Sequence, residues 1–326
     1  MGTRAFVTGA GGFIASHLVE ALLRRDWHVT ALIHYNSRAN WGWLETHHRQ
    51  PPANLKVVLG DITDPFLIRE VLDGCEVIFH LAALIAIPYS YHAPASYIQT
   101  NVTGTLNLAE AARKTGIKRF VHTSTSEVYG TARYTPVDEE HPLQGQSPYS
   151  ASKIAADKLI ESFVCSYGLP SVTVRPFNTY GPRQSARAVI PSIIAQTLHG
   201  NSVRLGSLDT IRDLTFVSDT VEGFIRAAET DNATGQTINL GTGKAVSIQE
   251  LAQTIFKLLG VSPTIVADPK RIRPSASEVQ RLISDNGKAA KLLGWRPAVS
   301  LQDGLCRTIE WVRDHAELYR PEEYTV

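Results

Sequence analysis

Tyr149-Ser-Ala-Ser-Lys153 sets a phenol and an ammonium four positions apart, downstream of Ser124-Thr125-Ser126-Glu127-Val128-Tyr129-Gly130. On a helix, side chains at that spacing share one face. A lysine cation beside a phenol favours the phenolate, so a group with a free pKa of about 10 becomes a base nearer neutrality. Such a pair can take a proton from an alcohol while the alcohol carbon gives up a hydride. Simple alcohol oxidation needs no further acid or base, yet Glu127 supplies one next to Thr125 and Ser126. An oxidising pair plus a carboxylate suggests oxidation followed by elimination. The bland alternatives are a buried aromatic for Tyr149, a surface cation for Lys153 and a turn cap for Glu127.

Alternating strand and helix patterns must hold these residues. Residues 4–7 form a short apolar run, followed by Gly9-Ala10-Gly11-Gly12-Phe13-Ile14-Ala15 and a helical pattern over 13–25. Glycines at such a turn let backbone approach a pyrophosphate, and the helix N-terminus favours its charge. Further strands are expected at 28–33, 55–59, 76–81, 119–123 and 171–175, with helices at 65–72, 97–115 and 148–167. Repeated strand–helix units predict an α/β fold with a doubly wound parallel Rossmann sheet. The pattern loosens after Pro176, with helices at 189–199, 219–229, 248–259, 287–293 and 301–318 and a strand at 237–240. Residues 1–176 with about 213–246 form the expected dinucleotide-binding domain. Residues 177–212 and about 247–326 form a smaller, mixed α/β C-terminal domain for the substrate. Residues 38–52 are expected to be an irregular loop near the cofactor face. The second strand ends His34-Tyr35-Asn36-Ser37-Arg38, without the acid that binds an adenosine ribose, and Arg38 suits a 2′-phosphate, so NAD and NADP both remain open. Asp61-Ile62, after the third strand, suits the adenine edge or a helix cap before Pro65.

The 326 residues are 43% hydrophobic, enough for a sizeable core, and the net charge of +1 provides no field to recruit nucleic acid. Lys118-Arg119 and Lys270-Arg271 are expected to be solvated surface or phosphate contacts. Three scattered cysteines, Cys75, Cys165 and Cys306, make neither a disulfide framework nor a metal knot, and are expected to be reduced, mostly buried thiols in a cytoplasmic protein. His47-His48 lack a third ligand at metal spacing. The N-terminus enters a strand directly, so no signal peptide is expected, and the longest apolar stretch, 77–88, is too short to span a bilayer. His80 and His122 lie on strands and are expected to be satisfied core histidines.

Together the glycine turn, His80-Leu81-Ala82-Ala83, the 124–130 segment, Tyr149 with Lys153, and 175–182 resemble the extended short-chain dehydrogenase/reductases that act on sugar nucleotides, the NAD-dependent epimerase/dehydratase family. The resemblance covers nearly the whole chain. Thr125-Ser126-Glu127 resembles the signature of the GDP-mannose 4,6-dehydratases, and UDP-glucuronate decarboxylases carry a similar Ser-Thr-Ser-Glu. Segments 82–91, 140–149 and 178–191 resemble the N-acetylglucosamine-nucleotide 4,6-dehydratases of bacterial legionaminic-acid pathways. The resemblance implies an NDP-N-acetylglucosamine substrate and a 4-keto-6-deoxy product. It implies catalytic roles for Thr125, Ser126, Glu127, Tyr149 and Lys153. It implies cofactor contacts from Gly9, Gly12, Phe13, Ile14, Arg38, Asp61, Ile62, Leu81, Ala82, Ala83 and Thr123, as well as from Tyr149 and Lys153. For the sugar nucleotide it implies Ile87, Asn178, Arg187, Arg212 and Arg273, with Arg212 and Arg273 on the diphosphate. It also implies a homodimer built on the helices at 97–115 and 148–167, a bound rather than exchanging NAD (NADP possible), and no metal. A 4-epimerase, a UDP-glucuronate decarboxylase, a 5,6-dehydratase and a non-catalytic dinucleotide-binding protein are the competing readings.

Overall fold

A computed structural model of the chain describes residues 2–320. The first part runs β1 (Arg4–Thr8), α1 (Phe13–Leu23), β2 (His28–His34), β3 (Leu55–Gly60), α2 (Pro65–Val71), β4 (Val77–His80), α3 (Ile87–His92), α4 (Pro94–Tyr97), α5 (Gly104–Thr115), β5 (Arg119–Thr123), α6 (Pro148–Tyr167) and β6 (Ser171–Pro176). The second part runs β7 (Thr179–Tyr180), α7 (Val189–His199), β8 (Ser202–Leu205), β9 (Ile211–Arg212), β10 (Thr215–Phe216), α8 (Val217–Glu229), β11 (Thr237–Leu240), β12 (Val246–Ser247), α9 (Ile248–Leu259), β13 (Thr264–Ala267), α10 (Gly287–Leu293) and α11 (Leu301–Asp314).

Seven strands form one sheet in the order β3-β2-β1-β4-β5-β6-β11, and every pairing is parallel. The expected doubly wound Rossmann α/β sheet is therefore present, and residues 237–240 return to it as the strand beside β6. Strand side chains alternate between faces. Phe6, Ile78 and Phe120 pack with Ile68, Leu108 and Ile160 from α2, α5 and α6. Ala5, Val7, Phe79 and Val121 pack on the other side with Leu18 and Val19 of α1 and Phe224 of α8. Smaller pairs, β7 with β10, β8 with β13 and β9 with β12, build the substrate-side region. The strand order reverses between β1 and β4, and a ligand crevice opens at the C-terminal ends of strands at such a switch.

Helix ends follow local chemistry. Ser147 and Ser150 make a reciprocal capping box at the start of α6, Pro148 takes the first turn, and Gly168 ends the helix at φ 65°. The helix expected at 13–25 stops at Leu23, because Asp26 adopts φ 59° and Trp27 N–H bonds the Leu22 carbonyl at 3.1 Å. The single helix expected at 97–115 is instead α4, a π-helical segment at Ile98–Thr103, and α5. Asn101 causes the break by turning inward: its amide accepts from Leu84 N at 2.9 Å and donates to the Leu84 carbonyl at 3.0 Å and to Ser152 Oγ at 2.9 Å. The pattern at 301–318 ends as a helix at Asp314, and a separate 3-10 turn covers Ala316–Leu318. The loop expected at 38–52 contains a 3-10 helix, Gly42–His47, anchored by fully buried Leu44. Helix α3 was not anticipated; Pro88 sits in its first turn and Ser90 Oγ bonds the Ile87 carbonyl at 2.7 Å.

Two surface expectations are corrected. Arg119 is 5% exposed rather than solvated, because its guanidinium bonds Thr234 Oγ1 and the Thr230 carbonyl. All three cysteines are free, but Cys165 is exposed on α6 and the other two are only partly covered. Among the described residues no helix is long and apolar enough to cross a membrane, and no group of three or more His, Cys, Asp or Glu side chains is arranged to hold a metal.

Candidate active site

A cleft of about 720 Å³ opens along the C-terminal edge of the sheet, between the first strand–helix turn and the loops that follow β5, β6 and β13. The wall formed by the first strand–helix turn and the end of the sheet contains Gly9, Gly12, Phe13, Ile14, Leu81, Ala82, Ala83 and Thr123. Gly9 has φ 67°, and a Cβ there would stand 2.9 Å from the Ala82 Cα, so only glycine lets the turn lie against the end of β4. Thr8 Oγ1 fixes that neighbouring stretch by accepting from Leu81 N at 3.1 Å and Ala82 N at 3.0 Å. No side chain caps α1, so its first N–H groups face the cleft available to an anion. The Thr123 hydroxyl is buried in the lining without a hydrogen-bond partner. A glycine cradle, an uncapped helix and an orphaned hydroxyl in one groove fit a dinucleotide.

Three residues expected at the cofactor are outside the lining of the cleft. Arg38 is exposed and outside the lining, whereas Asn36, Asn40 and Gly42 of the same loop line the cleft. The Gly11/Gly42 pair explains this: Trp43 N–H bonds the Gly11 carbonyl at 3.0 Å, and a Cβ at Gly42 would run into that carbonyl. Sequence reading missed this contact because its only signal is two glycines on separate segments. Asp61 also lies outside the lining; its Oδ1 accepts from Thr63 N at 2.8 Å and Oγ1 at 2.9 Å, and Oδ2 stands 3.4 Å from His34 Nδ1. Ile62 is 4% exposed, packed in the core over Gly104.

Thr125, Ser126, Glu127, Tyr149 and Lys153 all line the cleft together. β5 delivers the first three through a short 3-10 turn at Ser126–Tyr129, in which Thr125 Oγ1 accepts from Glu127 N at 3.2 Å. α6 delivers the other two from its first turns. The expected tyrosine–lysine partnership takes a different form. Lys153 Nζ donates to the Thr123 carbonyl at 2.6 Å, and burial pulls its pKa down to about 8 against the field of Asp157. Burial pushes the Tyr149 phenol well up; contact with the Thr125 hydroxyl opposes that rise and the Glu127 charge adds to it.

Beneath this pair lies a polar cluster that motif reading missed. Asp157 is buried between His122 Nε2 at 3.0 Å, Ser124 Oγ at 2.7 Å and the Arg175 guanidinium at 3.0 Å. Its only sequence signal was its place one turn beyond Lys153. His80 and His122 are core histidines: His80 bonds Thr8 Oγ1 and Thr105 Oγ1, both at 2.9 Å, and burial lowers both ring pKa values.

On the far wall stand Ile87, Asn178, Arg187 and Arg273. The Asn178 Oδ1 is buried without a partner. Arg212 lies outside the lining, 8% exposed, with Nη2 on Glu278 Oε1 at 3.2 Å. Arg273 Nη1 approaches the same Glu278 oxygen at 3.6 Å, so one carboxylate faces both arginines.

A family model described as GDP-mannose 4,6 dehydratase matches residues 6–308. The chain belongs to that family, within the extended short-chain dehydrogenase/reductases. It is 35% identical to a UDP-glucose 4-epimerase of Mycolicibacterium smegmatis, over 96% of this chain and 100% of the relative. It is 33% identical to a UDP-N-acetyl-alpha-D-glucosaminuronate decarboxylase of Bacillus cytotoxicus, over 96% of this chain and 99% of that one. A dTDP-glucose 4,6-dehydratase double mutant of Streptomyces venezuelae, crystallised with NAD, superposes with a TM-score of 0.88 at 32% identity, covering 98% of this chain and 100% of that one. Proteins named for epimerisation, decarboxylation and dehydration thus share one fold, and the residues of the cleft, not the fold, set the reaction.

Proposed function

We propose that this enzyme is a 4,6-dehydratase converting an NDP-N-acetylglucosamine, with UDP or GDP as the nucleotide, to its 4-keto-6-deoxy product on a bound NAD. The observation that carries this reading is Glu127, whose side chain lines the cleft with Thr125 and Tyr149 and whose charge acts on both the Tyr149 phenol and Arg212. Bound NAD would supply a positive charge near the phenol, accept the hydride from C4 and return it to C6. Tyr149 takes the proton of the 4-hydroxyl, and Thr125 hydrogen-bonds the same oxygen. The resulting 4-ketone acidifies C5–H, and Glu127 removes that proton. Ser126 brings a hydroxyl rather than a second acid, so Glu127 also hands the proton to the departing C6 hydroxyl; C5 regains a proton from solvent when C6 is reduced, and Tyr149 releases its proton, so the net loss is one water. Lys153 places its charge below the phenol and holds a ribose hydroxyl.

Residues 1–176 with about 213–246 hold the cofactor on this reading, and 177–212 with about 247–326 hold the nucleotide sugar. Asn36 and Asn40 in the lining, with Arg38 outside it, favour NAD over NADP. Asp61, half-exposed beyond the lining, would meet the adenine edge, with Ile62 packed behind it in the core. Ile87 borders the sugar and Asn178 contacts it. Arg187 and Arg273 meet the diphosphate, with Arg212 supporting them from behind. The partly exposed apolar residues Ile98, Leu106 and Tyr167 suit a homodimer face, and three free cysteines suit the cytoplasm.

The test is turnover of UDP- and GDP-N-acetylglucosamine in heavy water, followed by mass spectrometry and NMR, with UDP-glucuronate alongside. Loss of one water, deuterium at C5 and a new C6 methyl are expected, and the faster substrate names the base. A C4 epimer, carbon dioxide from the glucuronate, or an accumulating 5,6-alkene would each replace the reading with another.

A further inference from the structure

We propose that Asp157, buried one helical turn beyond Lys153, is a positioning residue that keeps the Lys153 ammonium charged beneath Tyr149. The inference rests on the reading of Tyr149 and Lys153 as the acid/base pair, which dehydratase, epimerase and decarboxylase chemistry would share.

Lys153 and Asp157 lie four apart on α6, on one face of the helix. Lys153 Nζ has a neutral partner, the Thr123 carbonyl at 2.6 Å, which orients the ammonium without balancing its charge. The titratable groups whose charge reaches it are His80 from β4, His122 from β5 and Asp157 from α6 itself; Arg175 of β6 stands behind Asp157 at 3.0 Å, and Tyr149 shares the cleft lining with Lys153. Burial disfavours the cationic form of both histidines, and Arg175 is a permanent cation. Asp157 is thus the one described group whose field favours the Lys153 cation. Its own charge is secured by Ser124 Oγ at 2.7 Å, Arg175 Nη2 at 3.0 Å and His122 Nε2 at 3.0 Å, despite 4% exposure. Without the carboxylate, Lys153 and Arg175 would be two cations in a dry site, and the lysine is the one that can shed its proton.

The direct measurement is the titration of Lys153 by NMR of protein carrying nitrogen-15 lysine, assigned with Lys153→Met, in the wild type, Asp157→Asn, Asp157→Glu and His122→Asn. The wild-type midpoint is expected at about 8. Asp157→Asn should lower it by about one pH unit or more, while Asp157→Glu and His122→Asn, which keep the carboxylate, leave it in place. The alkaline limb of kcat/KM should move down with the midpoint. A folded Asp157→Asn protein with an unchanged midpoint overturns the proposal, as does an equal loss of activity at every pH. If Asp157→Asn does not fold, Asp157→Asn with Arg175→Gln removes both members of the buried pair; loss of the guanidinium offsets part of the drop, so a smaller fall is expected there, and a midpoint equal to the wild type's overturns the proposal. A wild type that turns over no nucleotide sugar would defeat the dehydratase reading, while the midpoint would still decide whether Asp157 holds the charge.

Discussion

Burial acts on both members of the Tyr149/Lys153 pair and favours the uncharged form of each. The phenol is pushed up and the ammonium is drawn down to about 8. Residue types and the four-residue spacing were enough to single out this pair and Glu127. They were not enough to show that Lys153 would bond the Thr123 carbonyl, because that contact depends on how α6 docks against β5. Glu127 gives the sharpest test at this scale. Glu127→Gln keeps the shape and removes the base, so water loss and deuterium entry at C5 should both fall about 10²–10⁴-fold, the range for a lost general base. Binding of the nucleotide sugar, measured by calorimetry, should change little. Undiminished C5 exchange in the variant would take the base role away from Glu127.

The elements place these residues through a few polar side chains that face inward. Asn101 is the clearest case: from the π-helical segment it holds both backbone polar groups of Leu84 and the hydroxyl of Ser152 on α6. One side chain thereby joins the wall at 84–87 to the helix bearing Tyr149 and Lys153. Its position in a run of helical spacing hid this role, because periodicity reports which face is apolar and not which amide turns inward. Tyr97 helps on the same wall, donating its hydroxyl to the Ala86 carbonyl at 2.5 Å. Asn101→Ala leaves the Leu84 N–H and carbonyl without partners, at a cost of about 1–3 kcal/mol. Thermal melting should show that loss. KM for the nucleotide sugar should rise more than kcat falls, because the wall loosens while Tyr149 stays capped by the Ser147/Ser150 box. A melting point equal to wild type would show that the π segment does not depend on this amide.

For the whole molecule, the parallel sheet was legible because its strands are short apolar runs that alternate with helical patterns. The substrate-side pairs were not, since β7, β9, β10 and β12 have two residues each and carry no period. Nor could sequence show that one core joins the two regions, with Leu18 of α1, Ile193 of α7, Leu251 of α9 and Leu305 of α11 in a single cluster. The same packing traps titratable groups, which makes stability depend on pH. Burial lowers the ring pKa of His17, His80 and His122 below 6.5, so each is neutral in the folded protein where the unfolded chain would already bind a proton. The unfolded state then holds more protons, and stability falls as pH drops below about 6.5, until each group also binds its proton in the folded protein. Raised carboxyls at Glu139, Asp213 and Asp219 act in the opposite sense, again because of burial. Asp157, held below its ordinary 3.8, loses its contribution only at pH values under this window. A single variant separates these effects. His80→Gln can still reach Thr8 and Thr105, whose hydroxyls hold the ring at 2.9 Å, but it has no proton to gain. Melting curves from about pH 7.5 to about pH 5 should therefore fall less steeply for His80→Gln than for wild type. Parallel curves would mean that His80 already carries its proton in the folded protein, and that its burial between β1 and α5 sets no acid limit on the fold.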